Sequence, residues 1–124
     1  MLSASHDRAY QDFLTLLTKF MAVVVGAKRE LDREQLEREF RDLSNWFKRQ
    51  IITLNDRNLE PEIASRWQSV QREIQREFKL LSTDILFLAS ARQNSTQQKR
   101  LKNIEERLSK LIGYCQIMLL KDNN

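Results

Sequence analysis

The sequence predicts an all-α protein, specifically a single-domain antiparallel four-helix bundle with a long third helix. Only 2 Gly and 1 Pro occur in the 124 residues, whereas a sheet protein uses such residues at its frequent hairpin turns. Apolar residues recur at steps of three and four along almost the whole chain, which is the spacing of one helix face. Short turn-forming segments interrupt this pattern, so we expect helices over about residues 5–25, 32–54, 61–93 and 96–120.

The first two predicted helices are amphipathic and have recognisable end signals. Gly26 follows the first helix and is a candidate for the left-handed conformation that ends many helices. Asp32 is expected to begin the second helix, because its carboxylate can accept from free backbone N–H groups and Gln35 completes a capping-box pattern. Acid–base pairs on the outer side of this helix are typical of a solvated face, and they are Glu34/Arg38 and Glu37/Arg41.

The third helix is expected to begin at Pro61, whose missing N–H is no loss in a first turn. Its first half has one apolar stripe, whereas residues 80–91 are apolar on nearly every side. The residues lying well off the main stripe are Leu80, Phe87 and Ala91. Such a segment is either the buried centre of the bundle or an apolar surface for a partner, and the sequence leaves both open. For Asp84, an exposed edge position is the simpler expectation, and a polar contact within an interface is the alternative.

The fourth helix and the turn before it form the most basic part of the chain. The net charge is −1 over residues 1–62 and +5 over residues 63–124. The cations of this region are Arg92, Lys99, Arg100, Lys102, Arg107 and Lys110. They form either a solvated helix face or an electrostatic landing site for an acidic partner segment or a polyanion. We expect Ser95 or Thr96 to cap this helix, and Gly113 within it to allow close packing against a neighbour.

Catalytic and cofactor-binding patterns are lacking in the sequence. One Cys and one His cannot build a thiolate cluster or a His-rich metal site, and no Gly-rich phosphate loop or nucleophile elbow occurs. We therefore expect no enzyme, no cofactor and no metal. Cys115 and Trp67 lie on apolar stripes and are expected in the core, with Trp46 at its boundary and His6 on the surface. No leader-like segment or apolar run of about 20 residues is seen, so we expect a cytoplasmic protein without a membrane helix.

These patterns favour a binding module whose partner is another protein. The candidate partner-binding residues are Leu80, Asp84, Phe87, Arg92, Lys99, Arg100, Lys102 and Arg107. A homodimer is an alternative use of the apolar surface, and a purely structural, self-associating bundle is a further one. A nucleic-acid-binding bundle is the alternative from another class, although few aromatic residues lie among the cations, as single-stranded nucleic acid would require.

Five stretches of the second half resemble the PatD family of cyanobacterial heterocyst frequency control proteins. These stretches are residues 64–66 (ASR), 68–74 (QSVQREI), 80–88 (LLSTDILFL), 91–93 (ARQ) and 111–116 (LIGYCQ). The resemblance is best over about residues 60–120 and looser in the first two helices. It implies a non-enzymatic regulator of heterocyst frequency that contacts the tubulin-like division protein FtsZ and promotes its assembly. It implies no particular binding residues.

Overall fold

The computed structural model describes residues 2–120, which form four α-helices joined by short connections. The helices are α1 (Ala4–Ala27), α2 (Arg33–Gln50), α3 (Pro61–Ser90) and α4 (Asn94–Leu119). The all-α bundle with a long third helix is confirmed, and no strand occurs within the described residues. No helix in this part of the chain combines the length and the apolar character that a bilayer crossing needs.

The helices run alternately up and down the bundle. At one end, the side chain of Gln98 near the start of α4 donates to the carbonyl of Lys28, which follows α1. At the same end, Arg33 at the start of α2 donates to Ala89 at the end of α3, with an N–O distance of 2.6 Å. α1 packs along α2 and α4, and α4 packs along α3. These contacts place α1 and α3 on one diagonal of the bundle and α2 and α4 on the other.

A layer of aromatic side chains fills the space between α2 and α3. The rings of Phe47 and Phe78 are stacked, with centroids 3.9 Å apart, and Phe40 stacks on Phe78 at 5.6 Å. Phe13 of α1 reaches both Phe47 and Phe78 across the core. The large rings fill the interior between helices whose backbones are too far apart for small residues to meet, so this layer determines the width of the bundle.

A chain of hydrogen bonds runs through the core near the start of α1. Trp67 Nε1 donates to Tyr10 Oη at 2.7 Å, and Tyr10 Oη donates to Gln71 Oε1 at 2.6 Å. Gln71 Nε2 then donates to the carbonyl of Ile51 at 2.9 Å. Burial raises the pKa of the Tyr10 phenol above its ordinary value, which keeps the hydroxyl neutral and able to donate. These hydrogen bonds therefore join α1 and α3 to Ile51, the residue that follows α2.

Two helix ends differ from their predicted positions because side chains from other helices take the backbone carbonyls. α2 ends at Gln50, four residues before the predicted end, and the carbonyl of Ile51 accepts from the Gln71 side chain and, in a tighter turn, from the N–H of Leu54. α3 ends at Ser90 rather than near residue 93, and the carbonyl of Ala91 accepts from Arg33 and Gln97.

The structure confirms the predicted end signal of α2 and contradicts those of α1 and α4. Asp32 caps α2 as predicted and accepts from the Gln35 N–H at 3.0 Å. The expected glycine stop after α1 is wrong, since that helix continues through Ala27 and no described residue has a positive φ. The expected cap at Ser95 or Thr96 is also wrong, because both lie inside α4, which begins at Asn94 after an extended Gln93.

Four single-residue expectations concern positions in or near the core. Trp67 and Cys115 are buried as predicted. The surface expectation for His6 is wrong: the residue is buried and its Nε2 donates to the carbonyl of Asn55 at 2.8 Å. The close-packing role expected of Gly113 is wrong too, because a Cβ at this position would meet nothing within 4 Å.

The aromatic layer predicts a large stability effect at its centre. Phe78→Ala should lower the free energy of unfolding by about 3–5 kcal/mol, because it removes a buried ring and leaves a cavity that the surrounding rings cannot close. The measurement is urea unfolding followed by circular dichroism. The control is Val25→Ala at a half-exposed position of α1, which should change the value by less than about 1 kcal/mol. Equal losses for the two variants would contradict the assignment of Phe78 to the core.

Candidate functional site

The packing of α3 against α4 brings together most of the residues predicted to bind a partner. Asp84 of α3 contacts Arg107 of α4, and one turn farther along α3 the Phe87 ring lies under the Arg100 guanidinium, 4.7 Å from its Cζ. Leu80 lies one turn before Asp84 on the same side of α3 and is half-buried. We call the outward side of this helix pair the α3–α4 surface, defined by Leu80, Leu86, Phe87, Arg92, Lys99, Arg100 and Lys102.

The apolar segment of α3 divides between the core and the α3–α4 surface. Leu81, Ile85 and Leu88 are buried, and so is Ala91. In contrast, Phe87 is 44% exposed and Leu86 is 68% exposed. Residues 80–91 therefore include both core positions and exposed apolar positions, and the use of the exposed ones by a partner stays a prediction. Leu86 was not among the predicted site residues, although its position, five residues after the buried Leu81, turns it away from the core.

Two buried carboxylates of α3 share the guanidinium of Arg107. Arg107 Nε donates to Asp84 Oδ2 at 3.2 Å, and Arg107 Nη1 donates to Glu77 Oε2 at 3.3 Å. The exposed-edge expectation for Asp84 is therefore wrong, because the residue is buried and paired. Glu77 is buried more deeply, and Lys110 Nζ and Arg76 Nη1 each lie 3.9 Å from its Oε1. We call this group the Arg107 network.

The Arg107 network gives Arg107 a role within its own chain. Burial acts to lower the pKa of the guanidinium, but the hydrogen bond to Asp84 and the charge of Glu77 outweigh it, and the pKa is raised. A buried carboxylate without a compensating charge is strongly unfavourable. Arg107 therefore serves first to neutralise Asp84 and Glu77, and only 30% of its side chain stays exposed.

The cations at the other end of the α3–α4 surface are different, since they have no anionic partner among residues 2–120. Arg92, Lys99 and Lys102 are exposed, and Arg100 is half-buried against Phe87. By contrast, Lys28 forms an ion pair with Glu105 on the side of α4 that faces α1. The cations of α4 and of the turn before it therefore divide into a paired group, Arg107 and Lys110, and a group nearer the start of α4 without an anionic partner in the described range.

An apolar groove at the opposite end of the bundle is a second candidate site. It is formed by the start of α3 and the end of α4, where Ile117 is 51% and Leu120 66% exposed. Two charged residues, Arg66 and Asp7, line it and have opposite signs. The groove therefore shows no preference for an acidic or a basic ligand.

The α3–α4 surface combines an exposed aromatic ring with cations that have no anionic partner among residues 2–120. The described residues hold no group of three His, Cys, Asp or Glu side chains placed to bind a metal ion. Burial raises the pKa of the Cys115 thiol to about 12, so it is not a nucleophile near neutral pH. Comparisons of the chain with protein-family models, curated proteins and solved structures gave no match. The chemistry of the α3–α4 surface is therefore what supports a function.

The Arg107 network predicts that its two kinds of cation differ in their effect on stability. Arg107→Met should lower the free energy of unfolding by about 3 kcal/mol, because two buried carboxylates lose their main partner. Lys110→Met removes an exposed cation of the same network and should cost less than about 1 kcal/mol. Both values come from urea unfolding at neutral pH. A triple variant, Glu77→Gln with Asp84→Asn and Arg107→Met, should recover most of the lost stability, because it has no buried charge left to compensate. If the triple variant were as unstable as Arg107→Met, uncompensated charge would not be the cause of the loss.

The buried thiol predicts slow chemistry in the native protein. At pH 8, Cys115 should react with a thiol-specific disulfide reagent at least about 100-fold more slowly in the folded chain than in the urea-unfolded chain, because it is buried and protonated. Its pKa is raised from an ordinary 9.0 to about 12, so its contribution to stability is complete below pH 9.0 and is lost as the pH rises toward about 12. Cys115→Ala should flatten that part of the profile. Equal reaction rates for the folded and unfolded chains would contradict the burial of the thiol.

Proposed function

We propose that the chain is a non-enzymatic adaptor that binds an acidic protein through the α3–α4 surface, and that this partner is the division protein FtsZ. Binding promotes FtsZ assembly in the cytoplasm and thereby influences cell division and heterocyst frequency. The observation that carries the binding role is the exposed Phe87 ring beneath Arg100, beside cations that have no anionic partner among residues 2–120.

The identity of the partner is supported by the resemblance to the PatD family. That resemblance implies contact with FtsZ, and proteins of the FtsZ type are acidic overall. A basic surface attracts such a partner over distance and favours it over basic competitors. The half of the chain that contributes α3 and α4 carries a net charge of +5, which agrees with an acidic partner.

FtsZ assembly is promoted because the α3–α4 surface is part of a rigid body that can hold neighbouring FtsZ subunits together. The Arg107 network holds α3 and α4 in a fixed relation, so the surface is formed before the partner arrives. An adaptor that contacts two adjacent filament subunits raises the effective concentration of each for the other. Filament growth is then favoured without any chemical step.

A nucleic-acid-binding bundle is the second candidate, and the unpaired Lys99 and Lys102 are the observation in its favour. Such binding would weaken steeply with added salt for any DNA or RNA sequence. However, Arg107 and Lys110 of the same helix lie against carboxylates, so the row of free cations is short.

Sedimentation with purified FtsZ tests the proposal. We expect the chain to pellet with FtsZ polymers and to increase their yield. Arg100→Glu combined with Lys102→Glu should abolish both effects, because it reverses the charge beside Phe87. The control is Lys48→Glu with Arg49→Glu, the same charge change at exposed positions on α2, which should leave pelleting near that of the unchanged chain. The absence of co-pelleting, together with an unchanged polymer yield, would rule out FtsZ as the partner.

A further inference from the structure

We propose that the α3–α4 surface recognises a short acidic amphipathic segment of its partner. The segment places an apolar side chain on Leu86 and Phe87 and its carboxylates on Lys99, Arg100 and Lys102. This inference rests on the proposed adaptor function and specifies the chemistry of the part of the partner that is bound.

The apolar half of the contact is a ridge near the end of α3. Leu86 and Phe87 are consecutive, and both point away from the core while retaining large exposed fractions. Arg100 covers one face of the Phe87 ring at 4.7 Å. The ring therefore has a cation on one face and remains partly exposed to water. An apolar side chain of a partner that packs on the exposed part would lose its own contact with water.

The charged half of the contact lies on the first two turns of α4. Lys99 and Lys102 are three residues apart and share one side of the helix, while Arg100 lies about 100° from Lys99 around the helix and covers the Phe87 ring. Neither lysine forms an ion pair with a residue in the described range. The exposed Glu106 lies one turn beyond Lys102. The charge at this end of the surface can therefore be balanced by an anion from outside the chain. The Arg107 network needs no such anion, because it contains its own carboxylates.

The combination of a ridge and cations favours an acidic segment over two other occupants. A second copy docking symmetrically through this face would bring lysines and arginines against one another, which is unfavourable. Single-stranded nucleic acid binds to cationic grooves with aromatic stacking platforms, whereas Leu86 is aliphatic and the single exposed ring, Phe87, already has Arg100 on one face. An extended or helical peptide with leucine and glutamate side chains matches both halves.

Fluorescence anisotropy with the intact chain tests the inference. The probe is a fluorescein-labelled peptide of about 14 residues with leucines on one helical face and glutamates elsewhere. Two comparison peptides replace the leucines by serine or the glutamates by lysine. We expect the first peptide to bind at least about tenfold more tightly than either comparison peptide, since each removes one half of the contact.

Matched variants connect the binding to this surface. Leu86→Ser with Phe87→Ser, and separately Lys99→Glu with Lys102→Glu, should each weaken binding by about tenfold or more. Val25→Ser with Ile52→Ser is the control for the loss of exposed apolar side chains. Lys48→Glu with Arg49→Glu is the control for the change of charge. Neither control should change the affinity by more than about twofold. All variants alter exposed positions, and circular dichroism verifies that each one keeps the helical content of the unchanged chain.

Three results would overturn the inference: equal binding of the leucine and serine peptides, displacement of the peptide by a DNA or RNA oligonucleotide, or displacement by self-association of the chain. The outcome is separable from that of the FtsZ experiment. Peptide binding without co-pelleting would keep the acidic-segment inference and reject FtsZ as the partner. Co-pelleting without peptide binding would keep the partner and reject this mode of recognition.

Discussion

The guanidinium of Arg107 is the constraint on which the α3–α4 pair depends. It compensates two carboxylates that are buried on α3, Asp84 and Glu77, and buried charges tolerate little displacement of their partners. A sliding of α4 along α3 by one turn would separate Arg107 from both carboxylates and leave Asp84 without its cation. The same register places Arg100 over Phe87, so an internal electrostatic requirement also determines the geometry of the external surface.

Buried polar groups specify the bundle at two separate levels. The Tyr10, Trp67 and Gln71 hydrogen bonds hold α1 and α3 to the end of α2, and the Arg107 network holds α3 to α4. Between them lies the aromatic layer, which supplies apolar burial but little directionality. Apolar packing thus accounts for the compactness of the core, while hydrogen bonds and ion pairs select one arrangement of helices with similar apolar stripes.

Much of the fold follows from the sequence because each helix carries its own periodic signal. The stripes through Phe13, Ile74 and Leu108 identify a face without reference to any other helix, and the Asp32 cap is equally local. Several of the errors come from contacts between residues that are distant in the chain. The Gln71 side chain donates to the carbonyl of Ile51, which follows α2, and the ring of His6 donates to the carbonyl of Asn55. The candidate site shows the same limit, because the sequence presents all the cations of α4 as a single basic region. Their separation into paired and unpaired sets needs the position of α3.

That separation determines what kind of recognition the α3–α4 surface can perform. Had Arg107 been unpaired, the surface would present a longer row of cations, and its attraction would be mostly electrostatic and easily screened by salt. Because Arg107 lies against Asp84 and Glu77, the free charge is concentrated next to an exposed apolar ridge. Apolar burial is not screened by salt, so a partner that uses both features retains affinity at ionic strengths where a purely anionic ligand dissociates. In the recognition proposed above, selectivity therefore comes from the joint presence of an apolar side chain and carboxylates in one short segment, which neither feature would achieve alone.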